Sequence, residues 1–148
     1  MNRMNYVGLD IHKKSISCCV RQADGTIIQE STITATRQAL DEWVRRLPQP
    51  WAAGMEATLF TGWIYDHLVS CGAVVKVAHP AMLQAIAAGK KKNDRVDARK
   101  IADLLRCDYF PALSLVFLRD SGAFRRARVV NVRVGSSVWV PRRNLLAN

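Results

Sequence analysis

Two aspartates past the middle of the chain stand at a spacing that suits a metal site. Asp94 and Asp97 are three residues apart, so on a helix with Asn93 as its N-cap their carboxylates would share one face of the first turns. Carboxylates so close together repel each other unless a cation lies between them. Mg²⁺ prefers such oxygen ligands together with substrate phosphate oxygens. The alternative is an ordinary capped helix start with a solvated, mixed-charge face.

Basic side chains surround these two acids. Lys90, Lys91 and Lys92 precede them, and Arg95 lies between them. Positive groups beside a carboxylate pair are suited to the phosphates of a nucleic acid, which they would bind without reading its sequence. Lys13 is a further candidate for a phosphate contact, although a polar turn explains it equally well.

The overall charge points to the same kind of partner. The 148 residues contain 22 Lys and Arg against 12 Asp and Glu, a formal net charge of +10, which favours binding to nucleic acid.

The chain has no apolar run long enough to span a membrane and no signal peptide at its start, which predicts a cytoplasmic protein. The four cysteines form no Cys-x-x-Cys pair, so we expect buried thiols and neither a zinc site nor disulfides.

The apolar pattern predicts an α/β domain. Three strands joined by tight turns, the second turn at Asp24-Gly25, form an antiparallel meander. Two further strands then join parallel to the first one through helical crossovers, which gives a mixed five-stranded sheet with flanking helices. The predicted strands are 5–12, 15–22, 26–34, 51–57 and 73–78. The predicted helices start at Thr36 (ending before Pro48), at Thr58 (ending at Cys71, with Phe60, Ile64 and Leu68 inward), at Ala81 (ending at Ala87) and at Asp94 (ending near Arg106).

This topology brings two more acids towards Asp94 and Asp97. Asp10 comes late in the first strand and Glu56 ends the fourth, and these strands would be neighbours in the sheet. Taken singly, Asp10 could be a hydrogen-bonded acid at a strand end and Glu56 a capping acid. Four carboxylates at one sheet edge favour a metal cluster, with two Mg²⁺ ions about 4 Å apart.

Three segments carry a resemblance to a known family. Residues 8–13, 54–58 and 92–98 resemble the signature blocks of DEDD-type transposases of the insertion-sequence 110 family, over roughly residues 5–110. The resemblance implies an RNase H-like (RuvC-like) domain at 1–110. It implies that the catalytic and metal-binding acids are Asp10, Glu56, Asp94 and Asp97, with Mg²⁺ or Mn²⁺ as cofactor. It also implies DNA and a structured guide RNA as partners, a homo-oligomer, and a role in DNA strand cleavage and exchange in the bacterial cytoplasm, at the nucleoid.

The last part of the chain departs from this family. The resemblance implies a long helix and a separate domain with an attacking serine after residue 110, whereas 111–148 has no helical periodicity and takes its positive charge from arginine alone. We expect an atypical basic tail, frameshifted after about Leu115 or disordered, and a domain that is inactive alone in recombination. The alternative for the tail is a basic, β-rich arm at 129–134.

Other functions remain open on the residues alone. The same acids could serve a stand-alone RNase H-like nuclease, or the chain could be a non-catalytic nucleic-acid-binding remnant. An ATP-binding domain of the sugar-kinase and actin class also begins with a strand bearing Gly-x-Asp. That class needs a glycine-rich turn to hold phosphate, and residues 11–15 contain no glycine.

Overall fold

The computed structural model describes residues 3–87 and 96–113, together with two short strands at 115–116 and 128–129. The chain divides into two units, Met1–Leu113 and Ser114–Asn148. In the first unit the strands and helices follow the predicted order. They are β1 (Asn5–Ile11), β2 (Ser15–Gln22), β3 (Ile27–Thr34), α1 (Arg37–Val44), β4 (Trp51–Glu56), α2 (Thr61–Ser70), β5 (Val74–Ala78), α3 (Pro80–Ala87) and α4 (Ala98–Arg106).

The five strands form one mixed sheet in the order β3-β2-β1-β4-β5. The first three strands pair antiparallel, whereas β4 pairs parallel with β1 and β5 pairs parallel with β4. Gly25 has φ +91° in the turn between β2 and β3, and Asp24 Oδ1 accepts a hydrogen bond of 2.8 Å from Thr26 N. Glycine is suited to this turn because it adopts positive φ without steric cost. The predicted sheet is therefore confirmed, and β1 lies at its centre.

The two faces of β1 have different roles. Val7, Leu9 and Ile11 alternate along the strand and are buried in the core on one face. The intervening residues, Gly8 and Asp10, lie on the opposite face, where α4 packs against β1, β2 and β4. The sheet face that carries Asp10 is thus the face that α4 covers.

Two helices begin later than the sequence predicts. The last helix starts at Ala98 and not at Asp94, because Asp97 is extended (φ −89°, ψ 174°) and serves as the N-cap in place of Asn93. The second helix starts at Thr61 and not at Thr58, because Thr61 Oγ1 accepts from Thr58 N and donates to Glu56 O in a preceding turn. Phe60 lies in that turn and is 37% exposed, so its predicted inward position is wrong.

The four cysteines are free thiols in two environments. Cys18 and Cys19 are buried in β2, as predicted, but Cys71 and Cys107 lie just after helices and are exposed. Their predicted burial is wrong because each follows the last helical turn, where the chain is in contact with solvent. Burial raises the pKa of the Cys18 thiol to about 12 and also raises the pKa of Cys19.

These environments predict selective alkylation of the thiols. Iodoacetamide reacts with thiolates, so at pH 8 the folded protein should be modified at Cys71 and Cys107, while Cys18 and Cys19 stay unmodified. After unfolding in urea all four thiols should react. Peptide mass spectrometry measures both states, and rapid modification of Cys18 in the folded protein would contradict its position in β2.

The end of the first unit lies against the far edge of the sheet. Ala112 forms an antiparallel bridge with Ala78 of β5, and Leu113 N donates a hydrogen bond of 2.7 Å to Val77 O.

In the second unit, β6 (Leu115–Val116) pairs antiparallel with β7 (Arg128–Val129). The rest of the predicted tail, including 130–134, lies outside the described residues. Among the helices that the structure describes, none is long and apolar enough to cross a membrane.

Candidate active site

The register of the two central parallel strands brings Asp10 beside Glu56. Leu9 of β1 lies opposite Met55 of β4, so the next residues along each strand, Asp10 and Glu56, are neighbours on one face of the sheet. Asp10 is 9% exposed and Glu56 is half-buried. A charged group at this depth needs compensation by partners or by a cation.

A glycine allows the last helix to approach this face closely. A Cβ atom on Gly8 would lie 2.0 Å from the carbonyl oxygen of Ala98 and 2.6 Å from the backbone nitrogen of Ala102. Any larger residue at position 8 would therefore push α4 away from β1. Since Gly8 precedes Asp10 by two residues on the same face, this contact places the N-terminus of α4 beside Asp10.

Asp97 lies at that N-terminus and has two roles. Its Oδ1 accepts a hydrogen bond of 2.9 Å from Lys100 N, which caps the helix. Together with Asp10 it also lines a solvent-open cavity of about 420 Å³. The cap bond uses one carboxylate oxygen, so the other oxygen is the one suited to a ligand in the cavity.

His12 contacts the acid of the central strand. Its Nε2 atom lies 3.1 Å from Asp10 Oδ2, and about a third of the His12 side chain is exposed. Residues 10 and 12 lie on the same face because side chains alternate along an extended segment. The imidazole therefore orients the Asp10 carboxylate at the edge of the cavity.

The donor chemistry of the site fits a hard divalent cation. Asp10, Glu56 and Asp97 offer carboxylate oxygens, which Mg²⁺ and Mn²⁺ accept as ligands. Within 3–87 and 96–113, no three His, Cys, Asp or Glu side chains come close enough together to hold a metal ion. The remaining predicted site residues are Asp94, Lys90, Lys91, Lys92 and Arg95, and they lie outside the described residues. Lys13 is exposed in the turn that follows β1.

An ion pair at the rim of the cavity was not predicted from the sequence. Arg99, in the first turn of α4, binds Glu30 of β3 through two hydrogen bonds, from Nε to Oε1 and from Nη2 to Oε2, the latter 2.8 Å long. The guanidinium lowers the pKa of Glu30, and the carboxylate raises the pKa of Arg99. The two residues are 69 positions apart, so no local pattern could have paired them.

Comparisons with known proteins agree with this architecture. The transposase family model for the DEDD type of the insertion-sequence 110 family matches residues 7–125. Thermus thermophilus RuvC, solved in complex with a Holliday junction substrate, is similar in structure, with a TM-score of 0.51 and 13% sequence identity. The match covers 74% of this chain and 99% of the RuvC chain. The predicted RuvC-like, RNase H-like fold is thus confirmed.

Two other solved structures share only a smaller part of the chain. A ROK family protein from Streptococcus pneumoniae in complex with sucrose has 16% identity and a TM-score of 0.40, covering 57% of this chain and 37% of its own. A ROK family transcriptional regulator, a homologue of the E. coli MLC protein, has 12% identity and the same TM-score, covering 57% and 30%. At this TM-score the two structures say nothing about the function of this chain. A search of curated protein sequences found no match. The family match extends over most of the chain, and the protein therefore belongs to the DEDD-type transposases of the insertion-sequence 110 family.

Proposed function

We propose that this chain is the acidic domain of a transposase, which binds DNA and a guide RNA and supplies a divalent-metal site for DNA strand cleavage and exchange. One observation carries the proposal. In a chain of a transposase family, Asp10 and Asp97 line one open cavity, and Glu56 lies beside Asp10 in register. The proposed setting is the bacterial cytoplasm, with the protein acting as a homo-oligomer on nucleoid DNA.

Each acid has a role that follows from its position. Asp10 projects from the central strand, beside Glu56 in register and in the cavity that Asp97 also lines, so it is the candidate to contact both ions, and each of the other two acids would hold one ion. Asp94 would complete the set. Bound Mg²⁺ would stabilise the negative charge that develops on the attacking and leaving oxygens of a phosphodiester.

The chain's own residues prepare that site. His12 holds the Asp10 carboxylate in orientation, and the cap bond to Lys100 N does the same for Asp97. Lys13, Lys90–Lys92 and Arg95 would contact phosphates, which makes binding sensitive to salt. By the family resemblance the attacking serine belongs to another domain, so this domain alone should bind nucleic acid without completing recombination.

Nucleic-acid binding that depends on Mg²⁺ tests this function. Fluorescence anisotropy with a labelled DNA duplex should show binding about tenfold tighter in Mg²⁺ than in EDTA, because the ion links carboxylates to phosphate. Asp10→Asn should abolish the gain and keep the salt-sensitive binding. Asp66→Asn, which removes an exposed acid of α2, is the matched control and should behave as wild type. Equal affinity of the wild-type protein in Mg²⁺ and in EDTA would refute the metal-dependent function.

A further inference from the structure

Two hydroxyl side chains continue the row of acids across the sheet. Asp10 pairs with Ser17 of β2, and Ser17 pairs in turn with Thr32 of β3. Register partners share a face and are about 4.8 Å apart, so Glu56, Asp10, Ser17 and Thr32 form one row across the sheet. The row runs from the proposed metal site to β3, which is an edge strand of the five-stranded sheet.

The same cavity contains most of this row. Ser17 and Thr32 line it together with Asp10 and Asp97, and the Glu30–Arg99 pair forms its rim. The cavity volume of about 420 Å³ is in the range of sites for one small ligand, so it fits a nucleotide unit of one strand and not a duplex.

The residues that line the cavity carry more negative than positive charge. Asp10, Asp97 and Glu30 are acids, and Arg99 is the one basic residue among the lining residues described. A phosphate next to three carboxylates needs hydrogen-bond donors, and Ser17 and Thr32 supply neutral donors without adding negative charge. Glu30 engages two of the five N–H groups that an arginine carries, which fixes the guanidinium plane while other donors stay available.

We propose that Ser17, Thr32 and Arg99 form a binding track for a single sugar-phosphate strand, which crosses the sheet from the acids to the edge strand β3. The inference rests on the proposed function and adds the course of the substrate strand. Both hydroxyls donate to phosphate oxygens, and Arg99, held by Glu30, binds a phosphate at the rim. The track ends at β3, which is the edge strand of the described sheet.

Hydroxyl removal tests the track. The probe is a fluorescein-labelled oligothymidylate in Mg²⁺ at low salt. Thr32→Val and Ser17→Ala should each weaken binding about fivefold, since each loses one hydrogen bond to phosphate. Thr34→Val is the matched control, because Thr34 lies on the same strand and face, is exposed, and does not line the cavity. It should bind like the wild type, and circular dichroism should show that all three variants are folded.

The test for Arg99 is the salt dependence of oligonucleotide binding. This quantity would stay the same if Arg99 served only to stabilise the fold. Glu30→Gln with Arg99→Gln is compared with Glu30→Gln alone, so that no carboxylate loses its partner in the comparison. For each variant, the logarithm of the association constant is plotted against the logarithm of the salt concentration. The steepness of this line should decrease by about 0.7 when Arg99 is removed, as expected for one lost phosphate contact on a single strand. An unchanged slope would overturn the assignment of Arg99 to the track.

The outcomes separate the track from the function on which it rests. If the wild-type chain binds and Thr32→Val and Ser17→Ala bind as tightly as Thr34→Val, the track is refuted while the proposed function stands. If the wild-type chain does not bind the oligonucleotide and shows no Mg²⁺-dependent binding to duplex DNA, both are refuted.

Discussion

Replacing Gly8 by alanine should destabilise the domain by about 3 kcal/mol, a large fraction of the stability of a domain of this size. The added Cβ would lie 2.0 Å from the carbonyl oxygen of Ala98 and 2.6 Å from the nitrogen of Ala102. Both are backbone atoms of α4 and cannot rotate away, so the whole helix must shift. Urea unfolding followed by circular dichroism measures the loss of free energy.

The matched control is the register partner of Gly8. Gly54 lies opposite Gly8 on β4, and a Cβ there would meet side-chain atoms of Phe110 and Ile101 at 3.2 and 3.3 Å. Those side chains can adjust by a few tenths of an ångström, so Gly54→Ala should cost about 1 kcal/mol. Equal free energies of unfolding for the two variants would contradict the close backbone contact at Gly8.

Asp10→Asn should remove the stabilisation of the domain by Mn²⁺. A metal present at 100 times its dissociation constant stabilises a folded protein by about 2.7 kcal/mol. In a domain of roughly this size the melting temperature rises by about 10 °C. The wild-type protein should show this rise in a thermal-shift assay. The variant should show none, because Asp10 is the acid common to both proposed ions.

A second variant distinguishes loss of charge from loss of fold. Asparagine is as good an N-cap as aspartate, so Asp97→Asn should keep the cap of α4 and the melting temperature without metal. It should nevertheless lose most of the rise with Mn²⁺, whereas Asp66→Asn should keep all of it. A full rise in Asp10→Asn would show that the ion binds elsewhere.

The sheet could be predicted because its signals are local. Alternating apolar residues define β1 and β2, and Asp24-Gly25 fixes the hairpin to β3. The placement of β4 beside β1 followed from the handedness and length of the connections. These features depend on neighbours in sequence or on general rules of chain topology, and the side-by-side positions of Asp10 and Glu56 follow from them.

The start of α4 could not be predicted in the same way. Asn93 and Asp97 are equally good N-caps, and the segment between them has no residue that excludes a helix. The contact between Gly8 and Ala98 shows where the helix must begin relative to the sheet, and this contact joins residues 90 positions apart. Packing of α4 against the sheet therefore favours Asp97 over Asn93 as the N-cap.

The ion pair between Glu30 and Arg99 could not be predicted from the sequence for a related reason. Glu30 is one of several polar residues on an exposed edge strand, and Arg99 is one of several basic residues near the start of α4. Their pairing depends on how α4 packs against the sheet, which local sequence does not determine. Cys19 of β2 packs against Ala98 and Ala102 of α4, and this contact brings the start of the helix close to that part of the sheet.

The capping bond of Asp97 constrains how this chain can change in copies that drift without selection for the proposed metal site. Serine, threonine or asparagine at position 97 would keep the first turn of α4 intact while abolishing the charge, whereas an apolar residue would also weaken the fold. Decayed copies of the gene that have lost the charge at position 97 should consequently carry a capping residue there more often than an apolar one.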